Sequence, residues 1–519
     1  MMESTHATDS THRSEERPLE GRDVTVVGGG FGGLSAACYL AADGADVTVL
    51  ERHENLGGVA GRIETDGFRI DTGPSWYLMP DTFERFFGHF GRDPEAYYDL
   101  TRLDPHYRVF WKDGDRVDVP DDPEAVADLF DAYEPGGGEA FRSYLEGAEH
   151  AYEVGIEEFV YRDRSRLRDC LDPRLLRAAR GVTLLDSMDE YVGERFEHPK
   201  LRQLLQYTLV FLGGAPHNTP AIYTLMSHVD FNLGVYHPTG GIASVVDGVA
   251  ELAAELGVDI ETGREVTALD PGGGGFGVGT ASGRNRTDAV VANANPYHVE
   301  RELLPADRTE YGTDYWADRT YAPSAFMLYL GVEGDAEPLA HHTLVLPTDW
   351  DAHFEAIFDD PAWPDDPAYY VNVPSRTDPT MAPDGHEAVV VLVPIAAGLE
   401  DDERTRERFR EGVLDDLETH TGADLRGRIV LERSACVSEF GERFGAPRGT
   451  ALGLAHTLRQ TGPFRPSIRS SAADSLYYTG SYTSPGIGVP MCLVGGEHTA
   501  AAVRAGETPG VVSSLFDRR

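Results

Sequence analysis

Asp23 to Glu51 reads D-V-T-V-V-G-G-G-F-G-G-L-S-A-A-C-Y-L-A-A-D-G-A-D-V-T-V-L-E. Five valine-rich residues predict a buried strand, and the small and apolar residues from Phe31 predict a helix that Gly44 stops. A second strand then ends on Glu51, which makes a βαβ unit. Gly28, Gly30 and Gly33 occupy the G-x-G-x-x-G positions between strand and helix. Gly28 allows the tight turn, and Gly30 lets the backbone approach a pyrophosphate at the helix N-terminus, where free N–H groups and the dipole favour anions. Gly33 permits close helix–strand packing. Glu51 is placed to accept hydrogen bonds from ribose hydroxyls, which disfavours a 2′-phosphate.

Working outward, R-H-E-N-L-G-G-V-A-G-R-I follows directly, then D-G-F-R-I-D-T-G-P-S-W-Y-L-M-P. An NAD-binding chain ordinarily runs into its next βα unit. Here the pair Gly57-Gly58 brings the chain back toward the phosphates. A second glycine-rich turn closes the sequence, Y-T-G-S-Y-T-S-P-G-I-G-V-P-M from Tyr478 to Met491, and a predicted helix start follows it. A helix beginning there can aim N–H groups at a flavin ring and stabilise negative charge on its reduced form. Two such turns suit FAD held from both ends.

Nucleotide-type elements recur in three places. After the first unit, G-G-I-A-S-V-V-D-G-V-A-E-L-A-A-E-L-G-V-D-I predicts a helix and strand. E-V-T-A-L-D, P-G-G-G-G and F-G-V-G-T-A predict a hairpin, and D-A-V-V-A-N-A-N and S-L-Y-Y-T-G predict further strands. The expected class is therefore α/β: a discontinuous Rossmann-like FAD-binding domain with an inserted α+β substrate domain and a helical cap that docks on membrane. Its FAD-binding parts are 21–110, 236–300 and 471–519. A helical cap covers 111–235, the substrate domain 301–470, and a polar, disordered tail 1–20.

Composition narrows the function. The chain has 519 residues, 41% hydrophobic, with 87 acidic against 45 basic residues and a formal charge of −42. That suits the solvated surface of a halophile and repels nucleic acid. Lys112 and Lys200 are the two lysines and neither follows glycine, so there is no G-x-x-x-x-G-K phosphate loop. Cys38, Cys170, Cys436 and Cys492 lack C-x-x-C spacing, which argues against a zinc site or disulfide framework and fits a reducing cytoplasm. The longest apolar run, from Ala388, is broken by Pro394 and is too short to span a bilayer.

Several stretches then resemble the carotenoid desaturase family, the bacterial-type phytoene desaturases, and more remotely the amine-oxidase-like flavoproteins. They include V-V-G-G-G-F-G-G-L, D-T-G-P-S-W-Y-L-M-P-D-T-F-E, L-V-F-L-G-G-A-P-H-N-T-P-A-I-Y-T-L-M-S-H-V-D, F-G-A-P-R-G-T-A-L-G-L-A-H-T-L-R-Q-T-G-P-F-R-P and T-S-P-G-I-G-V-P-M. The likeness covers nearly the whole chain after residue 22. It implies FAD-dependent removal of hydrogen from C–C single bonds of a long isoprenoid. Expected cofactor contacts are Gly28, Gly30, Phe31, Gly32, Gly33, Glu51, Arg52, Gly57, Gly58, Gly73, Pro74, Ser75, Val266, Gly480, Gly488 and Val489. Two places depart from the family: Val59, with Arg62 nearby, stands where relatives carry a phosphate-binding arginine, and Ser484 stands where they carry histidine.

The allylic C–H and the flavin carry much of the reactivity, so the protein supplies position and dryness and needs no catalytic triad. No catalytic residue is assigned; Asp71, Glu442 and His237 are candidate acceptors for the second proton. Trp76 to Met79 could line a hydrocarbon tunnel or be ordinary core. His341, His342 and His456 suit structural roles, and Arg448 and Arg465 either shape the pocket or pair with carboxylates. Apolar helices between Leu201 and Tyr236 are expected to form a membrane-docking surface and tunnel mouth, giving a cytoplasmic, peripherally attached protein. Oxygen, a quinone or another carrier would reoxidise the flavin. Polyene isomerase, retinol-saturase-like, 3,4-desaturase and non-catalytic isoprenoid-binding roles share these features.

Overall fold

The computed structural model describes residues 18–163, 186–457 and 459–506; most of the polar tail, Cys170 and the last residues of the chain lie outside them. The opening stretch forms the expected strand Asp23–Val27, helix Phe31–Ala42 and strand Asp46–Leu50. These seed a five-stranded sheet in the order Leu476–Tyr478, Ala289–Ala292, Asp23–Val27, Asp46–Leu50, Asp259–Glu261. Every pairing is parallel. The strands are valine-rich without alternation because helices cover both faces of such a sheet. Val24, Val26, Val49, Val290 and Val291 are all buried, and each contributes about 1.5–3 kcal/mol by leaving water.

Helices Phe31–Ala42 and Val489–Ala505 lie against each other. A Cβ at Gly496 would sit 2.4 Å from Ser35 Oγ and 2.6 Å from the Ala36 nitrogen, and the Ser35 hydroxyl donates to the Leu493 carbonyl at 2.6 Å. That close approach explains the small-residue run after the C-terminal turn. The helix Ile242–Glu255 packs on the same core. The predicted hairpin is present as Val266–Gly272 and Gly275–Thr280, turning through Gly273 and Gly274 at positive φ.

A mixed seven-stranded sheet forms the second layer: Ile429–Ala435, Ser324–Glu333, His386–Ile395, Tyr369–Asn372, His342–Leu346, Tyr107–Trp111, Arg116–Val119. Neighbours are antiparallel except Tyr107–Trp111 beside His342–Leu346. The apolar run from Ala388 is the third of these strands. Helices Pro123–Tyr133, Gly137–Gly155 and Pro199–Gln206 cover one face of the sheet.

The segment proposed for docking faces largely inward. Leu201, Leu204, Leu205, Leu209, Val229 and Phe231 are buried. The helix from Pro199 tightens to a 3₁₀ turn over Tyr207–Leu212 and stops at Gly213, which has φ of 68°. Aromatic and β-branched residues there weaken the α-helical preference. No helix among the described residues is long and apolar enough to cross a membrane.

Candidate active site

Main-chain geometry builds the cofactor end. Gly28 takes φ of 103° and donates its N–H to the Leu50 carbonyl at 2.8 Å, tying the loop to the second strand. The helix from Phe31 begins at Gly30 with no side-chain cap, so its first N–H groups remain available as donors. Glu51 is buried. Its carboxylate accepts from the Gly29 N–H at 2.8 Å and the His53 N–H at 2.9 Å, which fixes its direction.

Asn293 fills the space that the glycines leave. A Cβ at Gly30 would lie 2.7 Å from its Nδ2, one at Gly32 2.7 Å from its Oδ1, and one at Gly480 2.9 Å from the same oxygen. Residue type alone gave no sign of this role, because Asn293 comes from a strand end more than 250 residues away. The sequence places the two glycine turns at opposite ends of a cofactor. In the fold they touch: a Cβ at Gly32 would come within 3.0 Å of the Gly480 nitrogen. From that contact the C-terminal segment diverges toward Gly488.

The divergent segment rests on a buried pair. His456 Nε2 accepts the Ile487 N–H at 3.1 Å, so its ring proton sits on Nδ1, 2.9 Å from the Tyr223 hydroxyl. Arg465 donates to the Ser481 carbonyl at 2.7 Å and to those of Leu454 and Gln460 at 3.2 Å. Burial pushes His456 well below its ordinary value and lowers Arg465 to about 10. A Cβ at Gly486 would strike His456 Nε2 at 2.4 Å, so glycine is required where the turn crosses this pair. Neither Arg465 nor the exposed Arg448 pairs with a carboxylate among the described residues. The helix Val489–Ala505 starts at Gly488, again without a side-chain cap.

A cavity of about 980 Å³ runs from the glycine loops into the space beneath the seven-stranded sheet. Gly28, Gly30, Phe31, Gly32, Glu51, Arg52, Gly57, Gly58, Gly73, Pro74, Ser75, Val266, Gly480, Gly488 and Val489 all line it. Gly33 does not: a Cβ there would stand 2.2 Å from the Gly28 oxygen, so it serves the packing of loop on helix. Gly73 serves a similar approach, since a Cβ would meet the Val59 oxygen at 2.1 Å. Arg62 turns away to Asp247 at 2.5 Å and Glu64 at 3.2 Å. Arg52, Arg264 and Arg443 line the cavity instead, and Arg443 has no ion pair among the described residues.

Beyond the loops the walls become apolar. Trp76, Tyr77, Leu78 and Met79 line the cavity and also pack against the apolar clusters around it. Leu344, Leu346, Leu392, Phe354 and Ile357 continue the wall. Ser75 Oγ lies 2.9 Å from the Tyr370 hydroxyl, which in turn lies 2.6 Å from His342 Nδ1. The His342 ring stacks on Trp76 with centroids 4.0 Å apart, and burial holds it neutral, well below the usual histidine range.

None of the three candidate proton acceptors lines the cavity. Asp71 is buried and accepts the Ile242 and Ala243 N–H groups at 2.8 and 3.1 Å; burial, its largest influence, pushes it up to about 6. His237 is tied to Asp378 at 3.2 Å. Glu442 is exposed. A pattern-level reading could not rank them, because access to the cavity depends on which way each chain segment turns.

The residues present fit FAD. Glycines leave a trough that any side chain would fill, and two uncapped helix starts supply anion-binding donors. The fixed Glu51 carboxylate would suit a ribose diol, and the apolar part of the cavity would take a flavin ring.

Comparison with known proteins agrees. The description "Flavin containing amine oxidoreductase" matches residues 31–504. A carotenoid 3,4-desaturase of Haloarcula japonica is 62% identical over 487 residues, covering 93% of this chain and 98% of its own. A zeta-carotene-forming phytoene desaturase of Myxococcus xanthus is 34% identical, with 92% of each chain covered. Among solved structures, a triple mutant of putrescine oxidase redesigned for cofactor binding superimposes with a TM-score of 0.61 at 17% identity, over 94% of this chain and 99% of that one. This last likeness concerns the fold alone. The chain belongs to the flavin-containing amine oxidoreductase family and, within it, to the carotenoid desaturases. It is an FAD-dependent oxidoreductase acting on CH–CH bonds.

Proposed function

We propose that this enzyme desaturates a late, already conjugated linear carotenoid at its terminal C3–C4 bond. The observation that carries the reading is the continuity of one cavity from the glycine loops into an apolar wall. The much higher identity to a carotenoid 3,4-desaturase than to phytoene desaturases supports the position of the bond. FAD, when bound, supplies the hydride acceptor. The chain's own residues bind and orient. The uncapped helix starts at Phe31 and Val489 hold negative charge, Glu51 holds the ribose, and Trp76, Leu344, Leu346 and Leu392 align the polyene and keep water out.

Membrane contact is part of this proposal, because so apolar a substrate resides in lipid. The surface serving it must be other than the buried side chains of Leu201, Leu204, Leu205 and Leu209. Sedimentation with lipid vesicles across a range of salt tests it; no association at any salt overturns that part. Reoxidation of the flavin by oxygen or a quinone is also proposed.

The central experiment incubates FAD-loaded protein separately with phytoene and with lycopene, a linear carotenoid whose conjugation stops before C4. A loss of two hydrogens per step with a red-shifted spectrum from lycopene, and unchanged phytoene, is the expected result. Conversion of phytoene alone moves the assignment to the early step. Conversion of neither overturns it.

A further inference from the structure

Desaturation removes a hydride and a proton, and the proton needs a destination inside an apolar wall. Four cavity-lining tyrosines have an imidazole or a carboxylate behind them. Tyr223 is backed by His456 and Tyr370 by His342. Tyr207 is backed by Asp230, to whose Oδ2 both Tyr207 and Tyr107 donate at 3.0 Å. An imidazole that takes a proton creates a buried cation, whereas a carboxylate that takes one removes a buried anion. Low polarity therefore opposes the two imidazoles and favours Asp230; the fourth tyrosine, Tyr369, donates to Asp416 at 2.8 Å, but Lys112 pairs with that carboxylate at 3.0 Å.

Asp230 is 2% exposed, and its Oδ1 has no hydrogen-bond partner among the described residues. The ionisable groups bonded to it are Tyr107 and Tyr207, and no cation pairs with it among the described residues. A carboxylate left with one oxygen unsolvated and no cation is poorly served as a structural anion. Trp76 stands over both tyrosines, with ring centroids 5.7 Å from Tyr107 and 6.1 Å from Tyr207. It follows immediately on the Gly73-Pro74-Ser75 turn at the cofactor end.

We infer that Tyr207 is the catalytic residue that accepts the substrate's second hydrogen as a proton, passing its own hydroxyl proton to Asp230. The inference rests on the desaturase reading above. In the balanced step, one C–H bond breaks with its electron pair leaving as hydride to FAD. The neighbouring C–H bond breaks with its electron pair becoming the new C=C bond. That proton forms an O–H bond on Tyr207 while the former Tyr207 proton moves to Asp230 Oδ2. Tyr207 ends unchanged and Asp230 ends neutral. Burial pushes Asp230 up to about 7, partly offset by its two tyrosine donors, so it changes charge in the range where a rate can be followed.

The test is anaerobic flavin reduction by lycopene in stopped flow, scaled to bound FAD. For the unmutated protein the rate rises with pH through about 7, because the ionised carboxylate is the active form. Asp230→Asn, similar in shape, is expected to keep the flavin spectrum, to lower the reduction rate roughly a hundredfold and to flatten the pH profile. Tyr207→Phe lowers the rate similarly. Tyr107→Phe, outside the cavity lining, moves the midpoint to higher pH, because the anion loses a donor. A flat profile in the unmutated protein overturns the inference even if the variants fail to fold. So does unmutated-like reduction in Asp230→Asn or Tyr207→Phe. If lycopene reduces no flavin even in the unmutated protein, the desaturase reading falls together with the inference.

Discussion

On one side of the cavity the five-stranded parallel sheet presents main-chain atoms. Gly28, Gly30, Gly32 and Gly480 strip the surface to backbone around the Asn293 side chain. On the other side the seven-stranded sheet presents side chains, Leu344 and Leu346 from one strand, Tyr369 and Tyr370 from a second and Leu392 from a third. The first wall tolerates almost no added atom, because its shape is set by loop-on-helix and loop-on-loop contacts. The second has its shape set by side-chain volume, which many sequences can supply. An enzyme that keeps one cofactor while related enzymes act on different polyenes would need this division: a fixed backbone trough beside an adjustable side-chain wall.

The strongest way to break the comparison is Gly33→Val. Its Cβ would stand 2.2 Å from the Gly28 oxygen, a main-chain atom that cannot rotate aside. We expect loss of about 3 kcal/mol or more and protein purified without yellow flavin absorbance. Retention of stoichiometric FAD would show that the trough is less rigid than described.

A milder change sharpens the other half. Leu392→Trp adds volume on a central strand facing the cavity and should cost about 1–3 kcal/mol in packing. FAD content should stay normal while lycopene conversion falls at least tenfold, as read by FAD absorbance and product chromatography on the same sample. Parallel loss of flavin would mean that the two walls are mechanically one.

The smallest effect concerns pH. Asp71, Asp230 and Glu300 are raised by burial to about 6, 7 and 7. Each folded value exceeds the unfolded one, so the stability contribution is complete below the unfolded carboxylate range and lost as pH rises through 6–7. Buried His342 and His456, held low, gain stability over the same rise in pH and oppose this, so the carboxylate share is read as a difference. In high salt, where repulsion within a chain of charge −42 is screened, Glu300→Gln should raise the thermal midpoint relative to the unmutated protein by a few degrees more at pH 8 than at pH 5.5. Asp378, held low in part by His237, acts oppositely, and its contribution is lost only in acid. A difference between the two proteins that does not change with pH would contradict the buried placement of Glu300.

The halophilic reading of the charge accords with the Haloarcula relative. The sequence by itself determined the cofactor half. Strand, glycine turn, helix and acidic strand end lie within 29 consecutive residues, and a glycine's freedom from Cβ has the same meaning wherever the chain later folds. The hairpin at P-G-G-G-G and the last strand were legible for the same local reason.

Tertiary structure alone decided the rest. It set Asn293 against five glycines, brought Gly32 to Gly480, turned Arg62 to Asp247, and faced Leu201–Leu209 inward. It also backed Tyr207 with Asp230 while leaving Asp71, His237 and Glu442 off the cavity. Those outcomes depend on which distant segments share a wall, and residue type carries no information about a neighbour hundreds of positions away.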